Sequence, residues 1–328
     1  MSPIVRYYRS VAAAMIVAAL VCSCHHDTPA PVTIHRLDLA IEDFADSDDG
    51  TRRQLCDSFS GGVSAMAYLL RDTTDSYHLL DSLSRSRSVR MFMPDVRHRL
   101  ADLGPIETEL GEMRRNFADR LPEIHFPTLY SIVSPFNQSI FGVDTVMLVA
   151  LNHYLGNDYE GYSYFEPYQR LKKHPAHISY DIAEATIASA YPYIAGGQST
   201  ALSRMLYEGA LVTALIEVVP DASLSEALGY NDLQIKWAQD NESRAWNAIV
   251  TRQLLYSTDP LIADRLTQPS PSTTIIHPDS PGRLGRYIGY RIVQSYIDHN
   301  PGVGLPMLLS PDTYNSQSTL IKAKYSPK

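Results

Sequence analysis

Cysteine is scarce in this chain, which has three in 328 residues. Cys22 and Cys24 lie close to the amino terminus, and Cys56 is the third. A disulfide framework requires several cysteines that can pair, so this sequence excludes one. If export removes Cys22 and acylation modifies Cys24, then Cys56 has no partner, and the stability of the fold must come from packing.

Positive charge is in short supply as well. The chain has 28 Lys and Arg residues against 36 Asp and Glu residues, and no basic block stands out. Proteins that bind nucleic acid or anionic lipid headgroups carry clustered positive charge, so we expect no nucleic-acid partner. The apolar fraction of 45% and the charged fraction of 20% are typical of a globular protein with a substantial core.

The common catalytic signatures are also missing. No His-Glu dipeptide occurs, so there is no H-E-x-x-H zinc helix. The sequence likewise contains no G-x-S-x-G elbow, no phosphate loop, no G-x-G-x-x-G and no C-x-x-C motif. These absences argue against familiar hydrolase and nucleotide chemistry, and we expect no catalytic residue, no metal ion and no cofactor.

What the sequence does contain, at its start, is the pattern of a bacterial lipoprotein signal. Arg6 and Arg9 precede an unbroken apolar run over residues 11–21, which is shorter than the roughly 20 residues of a spanning helix. Cys24 directly follows a small residue and is the predicted acylation site, with Cys22 as the weaker candidate. The alternative is an ordinary signal peptide with a chance cysteine. Acyl chains on Cys24 would hold the protein to a membrane without a basic patch.

The chain is therefore divided into three parts. Residues 1–23 are the predicted lipoprotein signal peptide, residues 24–31 a short tether, and residues 32–328 a single globular domain. No internal repeat or low-complexity tract interrupts this domain.

Two kinds of periodicity occur within the domain. Branched or alternating apolar residues predict strands over 32–39, 128–134 and 143–151. Apolar residues at three-to-four spacing, with Pro94 and other prolines as punctuation, predict helices within 47–121 and over 178–192, 200–219, 232–256 and 283–299. The predicted fold class is α+β, mostly helical with a small sheet.

Two carboxylates fall on apolar helix faces. Glu208 lies three residues after Met205 and four before Val212, and Glu242 shares a face with Trp246. A buried carboxylate costs several kcal/mol unless it is paired or bound to a metal. Each is therefore either a metal ligand or general base, or one half of a buried ion pair with an arginine, and we favour the ion pair.

The segment 280–291 offers partners for these acids. Ser280 and Pro281 are a favourable helix start. Gly285 and Gly289 follow one turn apart, and each costs about 1 kcal/mol in a helix interior, so close approach of another helix is the expected compensation. Together with Glu208 and Glu242, Arg283 and Arg286 are predicted to form a buried polar network that links three helices.

Two further groups of residues are candidates for binding a metal or another molecule. His174 and His177 are three residues apart, but Pro175 disrupts regular geometry between them, and we expect an exposed loop without a metal. A tyrosine-rich segment over 154–168 either lines a carbohydrate or protein surface or covers the sheet edge, and the sequence does not separate these.

Beyond these local features, the second half of the chain resembles the GldB family of gliding-motility lipoproteins from Bacteroidota. Besides the lipoprotein signal, the resemblance is carried by an ordered series of motifs: His153-Tyr154-Leu155-Gly156, Asp158-Tyr159, Met205-Leu206-Tyr207-Glu208-Gly209, Trp237, Asn241-Glu242, Trp246, Leu255-Tyr256-Ser257-Thr258, Ser280-Pro281-Gly282-Arg283-Leu284-Gly285-Arg286-Tyr287-Ile288-Gly289 and Lys324-Tyr325-Ser326-Pro327. These motifs run from about residue 140 to the C-terminus.

The resemblance implies a lipoprotein of the cell envelope that faces the periplasm and takes part in gliding or type IX secretion. The wider fold group looks like zincin metallopeptidases, in which a Glu-Gly pair completes a zinc site begun by H-E-x-x-H on the preceding helix. Here Glu208-Gly209 matches the second element, whereas the helix over 180–191 contains no histidine. The resemblance therefore implies a degenerate zincin-like scaffold without the metal.

We accordingly expect a non-catalytic, membrane-anchored scaffold or interaction protein whose partners are other envelope proteins. Its oligomeric state and its choice of inner or outer membrane stay open. One alternative is a zinc-dependent metallohydrolase that uses Glu208 with ligands such as His153, His174 or His177. Another is a lipoprotein that binds glycan or peptidoglycan through the tyrosine-rich segment.

Overall fold

A small mixed sheet organises the first half of the domain. The computed structural model describes residues 29–197 and 199–327, and its strands are β1 (Ile34–His35), β2 (Thr128–Ile132), β3 (Ile140–Val143) and β4 (Val146–Ala150). The strand order is β1-β2-β4-β3, with β1, β2 and β4 parallel and β3 antiparallel to β4. Both β2 and β4 are almost wholly buried, and β4 is accordingly apolar throughout.

The sheet differs from the prediction in two places. The strand predicted over residues 32–39 is reduced to the two residues of β1, because the chain then turns into helix α1 (Leu37–Phe44). The apolar residues of α1 recur at helical spacing and face the core, so a 3.6-residue period prevails over a loose alternation. Strand β3 was not predicted at all, whereas β2 and β4 lie within the two later predicted strands.

Helices fill the rest of the first half, as predicted. They are α2 (Asp49–Ser58), α3 (Ser60–Leu70), α4 (Ser76–Ser84), α5 (Arg87–Arg99) and α6 (Gly104–Arg120). Asp48, Asp75 and Ser86 each accept a hydrogen bond from the backbone N–H three residues later, so their side chains fix where three of these helices begin. Pro94 lies inside α5 and does not end it, contrary to its predicted role.

The second half is almost entirely helical. Its helices are α7 (Pro167–Arg170), α8 (Ile178–Ala190), α9 (Ala201–Val218), α10 (Leu224–Leu228), α11 (Asp232–Asp240), α12 (Glu242–Thr251), α13 (Pro260–Thr267), α14 (Leu284–His299), α15 (Leu305–Leu308), α16 (Pro311–Tyr314) and α17 (Gln317–Ala323). The helix predicted over 232–256 is divided at Asn241. Helix α14 begins after Arg283, whose φ of 57° is left-handed, and not at Ser280-Pro281.

The most intimate helix contact joins α9 to α14. A Cβ atom added at Gly289 would overlap the backbone of Met205, and one added at Gly209 would overlap the backbone of Gly289. Only glycine permits this approach, because any side chain would force the two helix backbones apart. The expectation that close approach of another helix compensates for the glycines is therefore confirmed for Gly289, and a second close approach, to Leu266 of α13, accounts for Gly285.

These elements give a mostly helical α+β fold, as predicted, and the contacts within Pro31–Lys328 group that part of the chain into one unit. The relation to zincin metallopeptidases stays a prediction. Among the described residues, none of the helices combines the length and apolar character that crossing a membrane requires. The predicted signal peptide and Cys24 lie outside the described residues.

Candidate functional site

Arg286 lies at the centre of a buried ion-pair network. Its side chain, from the first turn of α14, is fully buried. Nη1 donates to Oε1 of Glu184 on α8 at 2.6 Å and to Oε2 of Glu208 on α9 at 3.1 Å. Nη2 donates to the carbonyl oxygen of Ala227 at 3.3 Å. One guanidinium therefore ties α14 to α8 and α9. It also donates a hydrogen bond to a carbonyl oxygen in the last turn of α10.

Two more arginines complete the pairing of Glu208. Arg283 Nη2 lies 3.6 Å from Oε2, and Arg204 Nη2 lies 3.0 Å from Oε1. Burial on its own would raise the pKa of Glu184, but Arg286, with Lys172 and Arg283, outweighs it and holds that pKa well below its usual value. We call Glu184, Glu208, Arg283 and Arg286 the arginine network. Each of its two carboxylates faces at least two guanidiniums.

The structure thus brings together three of the four residues that the sequence assigned to one network. Glu242 does not join them. It accepts hydrogen bonds from Tyr287 Oη at 2.8 Å, Tyr325 Oη at 2.9 Å and Arg291 Nε at 3.0 Å. Arg291 lies more than a turn beyond Arg286 on α14, so the assignment chose the wrong arginine.

Glu184 is the member of the network that sequence reasoning missed. It lies in the predicted helix over 178–192 and, like Glu208, stands among small and branched apolar residues. The desolvation argument applied to Glu208 would have singled it out equally well.

A cleft of about 470 Å³ opens above the arginine network. Glu184 and Arg283 line it together with the neighbouring acid Asp181. Most of the other lining residues come from 137–140, at the start of β3, and from two aromatic-containing stretches, 165–173 and 228–230. The cleft therefore places both signs of charge beside apolar and aromatic surface, which is the usual make-up of a ligand site.

Two bases face each other at one side of this cleft. Lys173 Nζ lies 2.7 Å from Nδ1 of His153, and both side chains are buried. His153 Nε2 lies 2.7 Å from the carbonyl oxygen of Phe136, so the geometry assigns the proton to Nε2 and leaves Nδ1 as the acceptor. The Lys173 ammonium also lies 4.2 Å from the centre of the Phe165 ring.

This arrangement, which we call the lysine pair, shifts both groups toward neutrality. Burial, reinforced by the nearby Lys173 charge, lowers the pKa of His153 to about 4. Burial lowers the pKa of Lys173 to about 8. No carboxylate hydrogen bonds to Lys173 or His153 in the part of the chain that the structure describes. The neutral imidazole of His153 therefore accepts a hydrogen bond from the Lys173 ammonium but brings no negative charge to it.

The stretch around His177 differs from the exposed loop that the sequence suggested. Residues Pro175–His177 form a single 3-10 turn that leads directly into α8, and the His177 side chain is 1% exposed. Its Nδ1 lies 3.0 Å from Oε2 of Glu226, and its Nε2 lies 3.4 Å from Oδ1 of Asp181. Pro175 suits the first position of such a turn, so it starts the helix and does not disrupt it.

His174 lies on the other side of Glu226. Its Nε2 is 3.4 Å from the same carboxylate oxygen, Oε2, that faces His177. The two imidazoles beside it, His174 and His177, lower the pKa of Glu226 to about 2. We call His174, His177 and Glu226 the histidine site.

The tyrosine-rich segment faces mainly inward. Tyr154 and Tyr162 are buried, and their hydroxyls donate to Oδ2 of Asp181 at 2.8 Å and to the carbonyl oxygen of Asn152 at 2.6 Å. By contrast, Tyr164 is 61% exposed. The segment therefore packs and hydrogen bonds within the domain far more than it forms a tyrosine surface.

Comparison with known proteins places the chain in one family. The family model described as "Gliding motility protein GldB" matches residues 24–327. No curated protein and no solved structure matches the chain.

Proposed function

The chain belongs to the gliding motility protein GldB family, and on that premise we propose that it is a lipid-anchored, non-catalytic component of the cell envelope. In this role acyl chains on Cys24 hold the protein to a membrane, and the domain faces the periplasm. There it assembles with other envelope proteins of the gliding or type IX secretion machinery.

The family match supports the anchoring part of the proposal. It spans nearly the whole chain and begins at Cys24, the residue at which the lipoprotein signal predicts cleavage and acylation. Acyl chains at one end of a domain restrict it to a membrane surface, where it meets its partners without a hydrophobic patch of its own.

The observation that carries the non-catalytic part is the pairing of Glu208. Its Oε1 is engaged by Arg204, and its Oε2 is shared by Arg283 and Arg286. A metal ligand or general base needs a carboxylate oxygen free to meet a metal or a proton. A carboxylate held by three guanidiniums instead braces the helices that carry it, which is the chemistry of a scaffold.

Isolation of the protein with its partners tests the assembly role. We expect the full chain, extracted from its own membranes in mild detergent, to carry a recurrent set of motility or secretion components identified by mass spectrometry. The matched control is Cys24→Ser, which removes the acylation site and leaves the domain unchanged. Recovery of the wild-type protein alone, or of the same set with Cys24→Ser, would contradict the proposal.

A second candidate function, binding of a glycan or peptidoglycan strand, is favoured by the cleft. Phe165, Tyr168 and Tyr230 line it, and aromatic faces with nearby polar groups suit sugar rings. Purified cell wall should retain the wild-type protein and release the Tyr168→Ala variant. Tyr164→Ala is the control, because Tyr164 is exposed but lies outside the cleft lining. Equal retention of both variants would dismiss the cleft as a glycan site.

A further inference from the structure

We propose that the histidine site binds one divalent transition-metal ion of the Zn²⁺ class. Its three donors come from two places in the fold. His174 directly precedes the 3-10 turn before α8, His177 is the last residue of that turn, and Glu226 lies in α10. Their candidate ligand atoms all lie within 4.8 Å of one another.

The spacing of the donors fits a metal of this size. Glu226 Oε2 lies 3.0 Å from His177 Nδ1 and 3.4 Å from His174 Nε2. Bonds of about 2.0–2.1 Å to nitrogen and oxygen give a tetrahedron whose edges are about 3.3 Å. Both separations from Glu226 therefore match the edge of such a tetrahedron, and the two imidazole nitrogens lie within 4.8 Å of each other, so a rotation of the His174 side chain, which is partly exposed, would close the third edge.

A hydrogen bond explains only one of the two contacts to Glu226. His177 Nδ1 is within hydrogen-bonding reach of Oε2, but His174 Nε2 approaches the same oxygen at 3.4 Å without forming a hydrogen bond of good length. A cation between the three residues would satisfy both ring nitrogens and the carboxylate together. Two imidazoles with one carboxylate are a donor set that suits Zn²⁺ better than Ca²⁺ or Mg²⁺.

The buried side of His177 supplies the outer support that metal-bound histidines usually have. Its Nε2 is buried and forms no hydrogen bond, although Oδ1 of Asp181 lies 3.4 Å away. The other oxygen of Asp181 is held by the Tyr154 hydroxyl. A metal on Nδ1 would leave the proton on Nε2, directed at Asp181, so a small ring rotation completes a carboxylate–histidine–metal arrangement.

The exposed side of the site leaves room for a fourth ligand. The side chains of His174 and Glu226 are 21% and 36% exposed, in contrast with the 1% of His177. Solvent can thus reach the ion on the side of His174 and Glu226. The ion would link the turn before α8 to α10. Residues 228–230, at the end of α10, line the cleft.

Metal binding to the full chain tests this site. The protein is purified in mild detergent without a polyhistidine tag, stripped with EDTA and titrated with Zn²⁺, and metal content is read by atomic emission. We expect about one zinc per chain and a rise in Tm, since a ligand that binds only the folded state stabilises it. Co²⁺ should give the visible absorption bands of a low-symmetry site with nitrogen ligands.

Three variants separate the proposed site from chance binding. His174→Ala and Glu226→Gln change partly exposed side chains, and circular dichroism checks their fold. Each should weaken zinc binding at least tenfold and abolish the cobalt bands. His78→Ala is the matched control, because His78 lies 2.9 Å from Asp75 on an exposed helix face but belongs to no three-donor group among the described residues. Zinc well below one equivalent in the wild type, or zinc retained by both site variants, overturns the proposal.

Discussion

Two polar clusters border the same cleft and meet the cost of burial in different ways. In the arginine network, Arg286 and Arg283 face Glu184 and Glu208, so opposite charges compensate one another. In the lysine pair, two bases meet, and Lys173 hydrogen bonds to His153 without a carboxylate partner. Every charge in the network faces an opposite charge. In the pair, by contrast, the net charge depends on whether Lys173 and His153 are protonated.

This difference determines how the charge of each cluster responds to pH. A compensated ion-pair network keeps its charges over a wide pH range, because the arginines hold the pKa of Glu184 well below its usual value and each guanidinium stays protonated. The lysine pair, with pKa values of about 4 for His153 and about 8 for Lys173, instead gains a charge as the pH falls through about 4 and loses one as it rises through about 8. Perturbation of the two clusters should therefore give different signatures.

The largest effect is expected from Arg286→Met, which removes the centre of the arginine network. Glu184 and Glu208 would be left under-compensated in a buried site, which costs about 3–5 kcal/mol of unfolding free energy. Urea denaturation measures it. Arg291→Met is the matched control, because Arg291 is 44% exposed and its pair with Glu242 contributes about 1 kcal/mol or less. Equal losses of unfolding free energy in the two variants would mean that Arg286 stabilises the fold no more than an exposed ion pair does.

The lysine pair should reveal itself in the pH dependence of stability. His153 has a folded pKa of about 4 against an ordinary value of 6.5. Between these values the unfolded chain binds the proton first, so stability falls as the pH is lowered through this window. The full effect is about 3 kcal/mol.

The comparison of wild type with His153→Gln isolates this contribution. Glutamine can accept from Lys173 and donate to Phe136 but does not titrate, so the stability of the variant should fall less between pH 6.5 and pH 4. His78→Gln, at an exposed position, should leave the slope unchanged. Parallel curves for wild type and His153→Gln would show that His153 does not titrate as described.

A double-mutant cycle sharpens the picture of the arginine network at a smaller scale. Arg283→Ala and Glu208→Ala remove partners 3.6 Å apart. Their effects on unfolding free energy should be non-additive by about 0.5–3 kcal/mol, as is usual for residues in one network. Strict additivity would mean that Arg283 and Glu208 are not coupled, whatever their separation.

The smallest effect is expected within the lysine pair itself. Lys173→Met keeps the apolar contact with Phe165 and removes the charge that faces His153. Burial still lowers the pKa of His153, but loss of the lysine charge should raise it above the wild-type value of about 4. Titration of the ring followed by NMR measures the change. An unchanged pKa would assign the whole shift to burial.

The sequence predicted the helical framework better than it predicted the partners of side chains. The helices at 178–192, 200–219 and 283–299 were recovered within a few residues, because apolar residues recur through more than three turns of each. Glu242 was assigned to the wrong arginine because periodicity gives the face of a helix but not the height at which a neighbouring helix crosses it.

Local signals failed where one residue type has two opposite uses. Pro175 was interpreted as a break between two histidines, yet it begins a turn that buries His177. Pro94 was interpreted as punctuation and lies inside α5. Strand β3, which contains Gly142, is a short strand paired on one side only, so its sequence carried too little apolar pattern to predict it.

The contact between Gly289 and the backbone of Met205 has a mechanical consequence. Because the two helix backbones touch at a point with no side chain between them, α14 cannot slide along α9 by one residue. Such a slide would drive Ile288 or Tyr290 into space that only a glycine can occupy. Under a pulling force the two helices therefore cannot slip past each other residue by residue. They resist shear as one rigid unit until the surrounding core separates.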